Sequence, residues 1–311
     1  MGIAGNFPLL PLIRAVQDMT DQGVTQNFDW PSVDFVTGRS RLRKLLAWAV
    51  GESDHWRIDT QLAGAGTVLL SGRAPVTKET SGWSQSYGFN YEEASTRPIP
   101  GLENEPTHYR IIAYVRAFRS CFECKYSVLN GLRILTGLGW SSRFKSMHAF
   151  PMTLTPRQTP RTVEPSSGSS SNRQDLRIIR AGSPNVPQTH LLEIKTHSIK
   201  AGGGLSAKWP RTYPQLYLSQ TPHIHHAYHK HGTFIEVRKF RLGQDELVAI
   251  YQRAQVGFKK LRQLLGYIKS LVLKYGAMRI SLVCVGKTLS VYRIPPGQSC
   301  LPEDALALFV A

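Results

Sequence analysis

The chain has 311 residues, 41% of them hydrophobic and 19% charged, which describes a globular protein long enough to bury a substantial core. Thirty-eight Lys and Arg against 21 Asp and Glu leave a net charge of +17, a field that favours nucleic acid because neutralised phosphates release condensed counterions. No apolar run reaches the roughly 18 residues of a membrane span, and four irregularly placed cysteines build neither a disulfide framework nor, with one C-x-x-C at Cys121 and Cys124, a complete zinc site.

In chain order, residues 1–30 carry no clear period and read as a loosely ordered lead-in. Neither a myristoylation signal nor a basic-then-apolar secretory leader opens the chain, so the expectation is an intracellular protein with no membrane partner. Residues 31–311 read as one domain. Val33 to Val36 is expected as a short strand, and Arg39 to Val50 as a helix with Leu42, Leu45, Leu46 and Ala49 at helical spacing. Trp56 to Leu62 alternates and is followed by a glycine-rich turn and Thr67 to Leu70, which predicts a hairpin. Tyr87 to Ser95 reads as a short helix, and His108 to Val115 and Phe118 to Cys124 as two further strands.

Residues 126–174 break this rhythm. Gly, Ser, Pro, Thr and basic residues accumulate there, ending in the run Pro165 to Asn172, and the segment reads as a flexible basic insert. Cys124 to Val163 contains no acidic residue. The codons TGT-AAG-TAT for Cys124-Lys125-Tyr126 would also hold a splice-donor pattern, so this stretch reads either as a basic RNA-holding insert or as a translated intron.

Order returns at Leu176 to Ile179 and Leu191 to Lys195. His223, His225, His226, His229 and His231 crowd nine residues. His225 and His229 would chelate a metal on a helix, but Pro222 and Gly232 bracket the run as a polar loop. Gly202 to Gly204 lacks the Lys-Ser or Lys-Thr of a phosphate-cradling loop and reads as a connector that lets Lys208 and Arg211 reach a ligand. Gly232 to Leu242 is expected as a strand and Asp245 to Lys274 as a long amphipathic helix. Ile280 to Val285 and Thr288 to Arg293 should form a hairpin around Gly286-Lys287. Cys284 reads as a core thiol and Cys300 as a tail thiol. The fold class is therefore mixed α/β, with twisted sheets and flanking helices.

The segment Leu191 to Thr196 carries the chemistry. On a strand, residues i and i+2 share a face, so Glu193 and Lys195 point the same way. A carboxylate beside an ammonium can bind a divalent cation and steady a phosphate or an attacking water. Glu-x-Lys is also half of the PD-(D/E)XK nuclease arrangement. Glu92, after Gly88-Phe89-Asn90-Tyr91, and Glu123, in Cys121 to Lys125, are the other candidate carboxylates.

Taken in order, these segments resemble the DXO family of decapping nucleases over roughly Val33 to Arg293, in a divergent, fungal-type form. Val33 to Ser40 resembles the first motif, whose arginine would be Arg39. Gly88 to Glu92 resembles the Gly-h-h-h-Glu motif, Leu191 to Thr196 the Glu-h-Lys motif, and Leu218-Ser219-Gln220 the helix whose glutamine lies near the site. The resemblance implies a PD-(D/E)XK-like core and Mg²⁺- or Mn²⁺-dependent hydrolysis of incompletely capped RNA 5′ ends, with 5′→3′ degradation besides. Glu92, Glu123 and Glu193 would hold metal, Lys195 would face the scissile phosphate, and Arg39 and Gln220 would orient substrate. It also implies a nuclear or cytoplasmic protein and a nuclear 5′→3′ exoribonuclease as partner. The chain departs from the family at Glu123-Cys124-Lys125, where Glu-h-Asp is expected. A lysine in place of a metal-ligating aspartate opposes cation binding, so the alternative is an RNA-binding relative with impaired catalysis. A prenyl diphosphate synthase is a poor match, since the chain has no Asp-Asp pair.

Overall fold

The computed structural model describes residues 7–23, 28–72, 87–96, 112–116, 132–137, 188–199, 205–295, 297 and 299–310. The expected strands at 118–124 and 176–179, the C-x-x-C pair, Glu123, Lys125, the glycine run 202–204 and most of the insert lie outside the described residues.

Among the described residues there are two sheets. The larger has the order β10-β9-β2-β3-β1-β5-β4, built from β1 (Phe35–Gly38), β2 (Asp54–Ala63), β3 (Thr67–Ser71), β4 (Ile112–Arg116), β5 (Arg133–Gly137), β9 (Ile280–Gly286) and β10 (Thr288–Arg293). β1 runs parallel to both neighbours, β3 and β5; the other pairs are antiparallel. β1 and β3 are buried along their whole length, as expected of strands covered on both faces. In β3, Val68 and Leu70 enter one apolar cluster and Leu69 the other.

The first cluster joins the sheet to α2 (Arg39–Ala49), α4 (Leu205–Ser219) and α5 (Val248–Tyr275). The apolar stripe of α2, Leu42, Leu45 and Leu46, meets Phe258, Leu261 and Leu265 of α5. A methyl group on Gly257 would sit 3.1 Å from Leu46 Cδ1 and from Val50 Cγ1, so this glycine sets how closely the two helices approach. The second cluster covers the opposite face with α1 (Leu10–Asp21), Trp30 and the C-terminal α6 (Glu303–Ala307).

The smaller sheet has the order β6-β7-β8, from β6 (Leu192–Ser198), β7 (His223–Lys230) and β8 (Thr233–Arg241). β6 and β7 are parallel, with α4 as the crossover between them. β7 and β8 form an antiparallel hairpin whose turn residues, His231 and Gly232, both have positive φ (49° and 95°), the conformation a tight hairpin requires. α3 (Tyr87–Ser95) packs on β6. It is held through Tyr91 against Phe234 and Tyr87 against His229, with ring centroids 4.3 and 4.7 Å apart.

Four expectations need correction. The lead-in contains α1, where Leu10, Leu12, Ile13 and Val16 are buried; a proline in the first turn starts it without loss of a needed N–H. Within the span read as an insert, 133–137 forms β5, with Ile134 and Leu135 fully buried beside β1. The histidine run is the middle strand of the smaller sheet rather than a loop, because Ile224 and Ala227 bury there completely. Cys300 is buried in the second cluster and is no tail thiol.

Candidate functional site

β1 ends at Gly38 and α2 begins at once, so Arg39 stands in the first turn of that helix with its side chain 5% exposed. It meets Glu193 of β6, which is 2% exposed. Arg39 Nη1 donates to Glu193 Oε2 at 3.4 Å and to Ser219 Oγ at 3.2 Å. Glu193 Oε1 takes the Lys195 ammonium at 2.8 Å and the Gln215 side-chain amide. Gln215 and Ser219 lie one turn apart on α4, on the same face, and Ser219 Oγ donates to the Gln215 carbonyl at 2.7 Å. Burial alone would raise the Glu193 carboxyl, but Lys195 and Arg39 outweigh it and hold the group below the usual carboxylate range. The centre is an ionised carboxylate between two cations and an amide, with Lys195 its most open member.

Farther along β6 lies His197, on the same face as Glu193 and Lys195 by its spacing. Its Nε2 is 2.6 Å from His226 Nδ1, with the two rings stacked at 4.9 Å. Trp209 and Phe240 stand edge-on to His226. Burial, then Lys208 and Lys195, lower His197 to about 4. Burial, then His197 and the same lysines, lower His226 to about 3. Both are neutral imidazoles at neutral pH.

Of the residues predicted from sequence, Arg39, Glu193 and Lys195 come together. Glu92 is half-buried on α3, the helix that packs on β6. Gln220 follows α4 with φ 51° and donates its main-chain N–H to the Tyr217 carbonyl; one turn earlier in the helix, Gln215 donates its side-chain amide to Glu193. Sequence reasoning missed Gln215 and Ser219. Their i, i+4 spacing was visible, but Pro210 and Pro214 interrupt the helical pattern around them. Among the described residues, no three His, Cys, Asp or Glu side chains group as metal ligands. Glu193 itself is a hard, ionised oxygen donor and fits the kind of Mg²⁺ site that uses one or two carboxylates, with substrate phosphate and water completing the shell.

Comparison with known proteins gives the fold. Residues 3–123 match a family described only as a domain of unknown function, DUF8563. No curated protein sequence matches the chain. Candida albicans Rai1, solved in complex with pU5-Mn2+, superposes with a TM-score of 0.57 at 11% identity, over 97% of this chain and 80% of that one. Scheffersomyces stipitis Rai1, solved with (3'-NADP)+ and calcium ion, gives 0.56 at 12% identity, over 98% and 80%. S. pombe Rai1 with 3'-FADP gives 0.55 at 15% identity, over 91% and 77%. The mixed α/β architecture is that of the Rai1 structures.

Proposed function

We propose that this protein is a nuclease acting on RNA 5′ ends, a divergent relative of the DXO decapping enzymes. One observation carries the reading: in a Rai1-like fold, Arg39, Lys195 and Gln215, drawn from three separate elements, converge on the buried Glu193 carboxylate. An uncompensated ion there would be costly, and the surrounding cations keep Glu193 charged at neutral pH.

Glu193, with Glu92 and Glu123, would hold a divalent cation, Mg²⁺ or Mn²⁺, which when bound supplies a Lewis acid and an activated water. Lys195, the most open member of the cluster, would stabilise charge developing on a transferring phosphoryl group. Arg39 fixes the Glu193 carboxylate from behind, and Gln215 fixes the orientation of its Oε1 edge. The +17 charge supports a polyanionic substrate.

The test is Mn²⁺-dependent cleavage of triphosphate-ended and unmethylated-cap RNA by the wild type and by Glu193→Gln and Lys195→Ala. Cleavage by the wild type and loss in both variants is expected; equal turnover in all three would remove Glu193 from the chemistry. The second reading, an RNA-binding relative without turnover, is favoured by one observation: cations and an amide already engage both Glu193 oxygens. It predicts salt-sensitive RNA binding, unchanged by metal, with no cleavage at all.

A further inference from the structure

A cavity of about 640 Å³ opens among α2, α4 and α5, and none of Arg39, Glu193, Lys195, Gln215 and Ser219 lines it. Its apolar wall includes Leu46, Trp209, Tyr213 and Ile250, while Arg43, Lys44, Arg211 and Arg253 bring four cations to it. Glu52 and Asp54 are the acids at its margin, and Glu52 already pairs with Arg211 at 3.6 Å. Arg43 and Lys44 are both partly buried, and no hydrogen bond or ion pair joins either to another described residue; Arg43 brings the guanidinium. Its burial lowers the guanidinium pKa, Glu193 and Glu52 pull it back up, and Arg211 pushes it down again. A partly buried guanidinium with no carboxylate in direct contact is open to a dianionic oxygen cluster. The volume falls in the range of small-molecule sites, roughly 300–1,000 Å³.

We infer that this cavity binds a nucleoside phosphate, with the phosphate on Arg43 and the rim cations and the base against the Trp209 and Tyr213 wall. The ligand is a free nucleotide or one nucleotide of a bound RNA; both present the same group. An apolar, partly aromatic wall beside several cations is what would separate such a ligand from inorganic phosphate. The site stands one helical turn from Arg39 along α2, so its occupant would lie close to the Glu193 centre without touching it. The inference holds whether or not that centre hydrolyses RNA.

The experiment is calorimetric titration of the full chain with AMP, with adenosine, with inorganic phosphate and with 5′-phosphorylated pentauridylate. AMP should bind at one site, and more tightly than adenosine or phosphate. Arg43→Ala should weaken AMP by about ten- to a hundredfold, the range for a lost charged hydrogen bond, with melting temperature and circular dichroism unchanged. A Lys44→Ala/Arg253→Ala double variant, altered only outside the core, should weaken AMP in the same direction and serves if Arg43→Ala unfolds. Glu193→Gln should still bind AMP at one site, with no loss of affinity, since it removes a negative charge near Arg43. Pentauridylate that displaces AMP marks RNA as the source; pentauridylate that leaves AMP in place marks the free nucleotide. Phosphate binding as tightly as AMP, no AMP binding, or AMP binding lost in Glu193→Gln but kept in Arg43→Ala would each overturn the inference.

Discussion

Arg39 and Glu193 stand 154 positions apart in the chain and meet inside the protein at 3.4 Å, both almost wholly withdrawn from solvent. Neither ion is stable alone at such a place. Glu193→Ala leaves the buried guanidinium beside Ser219 without its carboxylate and should cost about 3 kcal/mol or more of unfolding free energy. The Arg39→Met/Glu193→Leu double variant should cost less than the two single changes added together. Urea titrations of the four proteins measure that coupling, and strictly additive losses would mean the two groups do not interact.

The two glutamines of α4 and its end can be told apart by activity. Gln215→Leu removes the amide that orients Glu193 and should lower turnover by about tenfold or more, on the scale of one lost charged hydrogen bond. Gln220→Leu should leave turnover within about twofold of wild type, a difference well under one such bond. The readout is cleavage of triphosphate-ended RNA under saturating metal. The reverse ranking would make Gln220, and not Gln215, the glutamine on which turnover depends.

Stability should fall on mild acidification. His197 and His226 titrate at about 4 and about 3 in the folded protein and near 6.5 when unfolded. Between pH 6.5 and 4 the unfolded chain therefore binds protons that the native one refuses, and stability declines as pH falls through that window. Below it, protonation of Glu193, whose folded pKa is also depressed, adds a further loss. His226→Phe, placed between Trp209 and Phe240, should flatten the upper part of the profile. Melting temperatures that stay level from pH 7 to pH 4 in the wild type would contradict this account.

The N-terminal helix belongs to the core. Ile13 is fully buried with Leu10, Trp30 and Phe309 in the second cluster. Ile13→Ala should destabilise by about 2–5 kcal/mol, the usual cost of emptying such a site. A change under half a kcal/mol, on the scale of a surface substitution, would return this segment to the status of a tail.

Much of this was legible in the residues themselves. The i, i+2 spacing of Glu193 and Lys195 needs only a strand to put them on one face, and Arg39 follows a short apolar run that had to end in a helix. The hairpin at Gly286 and the 28-residue α5 were visible from their periods. What escaped notice shares a cause, since each missed element is specified by tertiary burial more than by local pattern. β5 is five residues long in a basic, glycine-rich setting, and only its place beside β1 identifies it as a strand. In β7 the histidines hide an alternation carried by few apolar side chains. In α4, two prolines conceal a helix that packing against α2 and α5 nevertheless sustains. Glu123 and Lys125, on which the family's aspartate motif turns, lie outside the described residues.

The β6-α4-β7 crossover sets an order of assembly. Gln215 reaches Glu193 across only 22 positions, inside one strand-helix-strand unit, whereas Arg39 must be brought back from 154. Closing the longer loop costs more chain entropy, and distant pairings form late when topology governs the rate. Glu193 thus gains Lys195 and Gln215 first and Arg39 last. Substitutions at Gln215 should slow refolding, while those at Arg39 should chiefly hasten unfolding, a division that stopped-flow kinetics resolves.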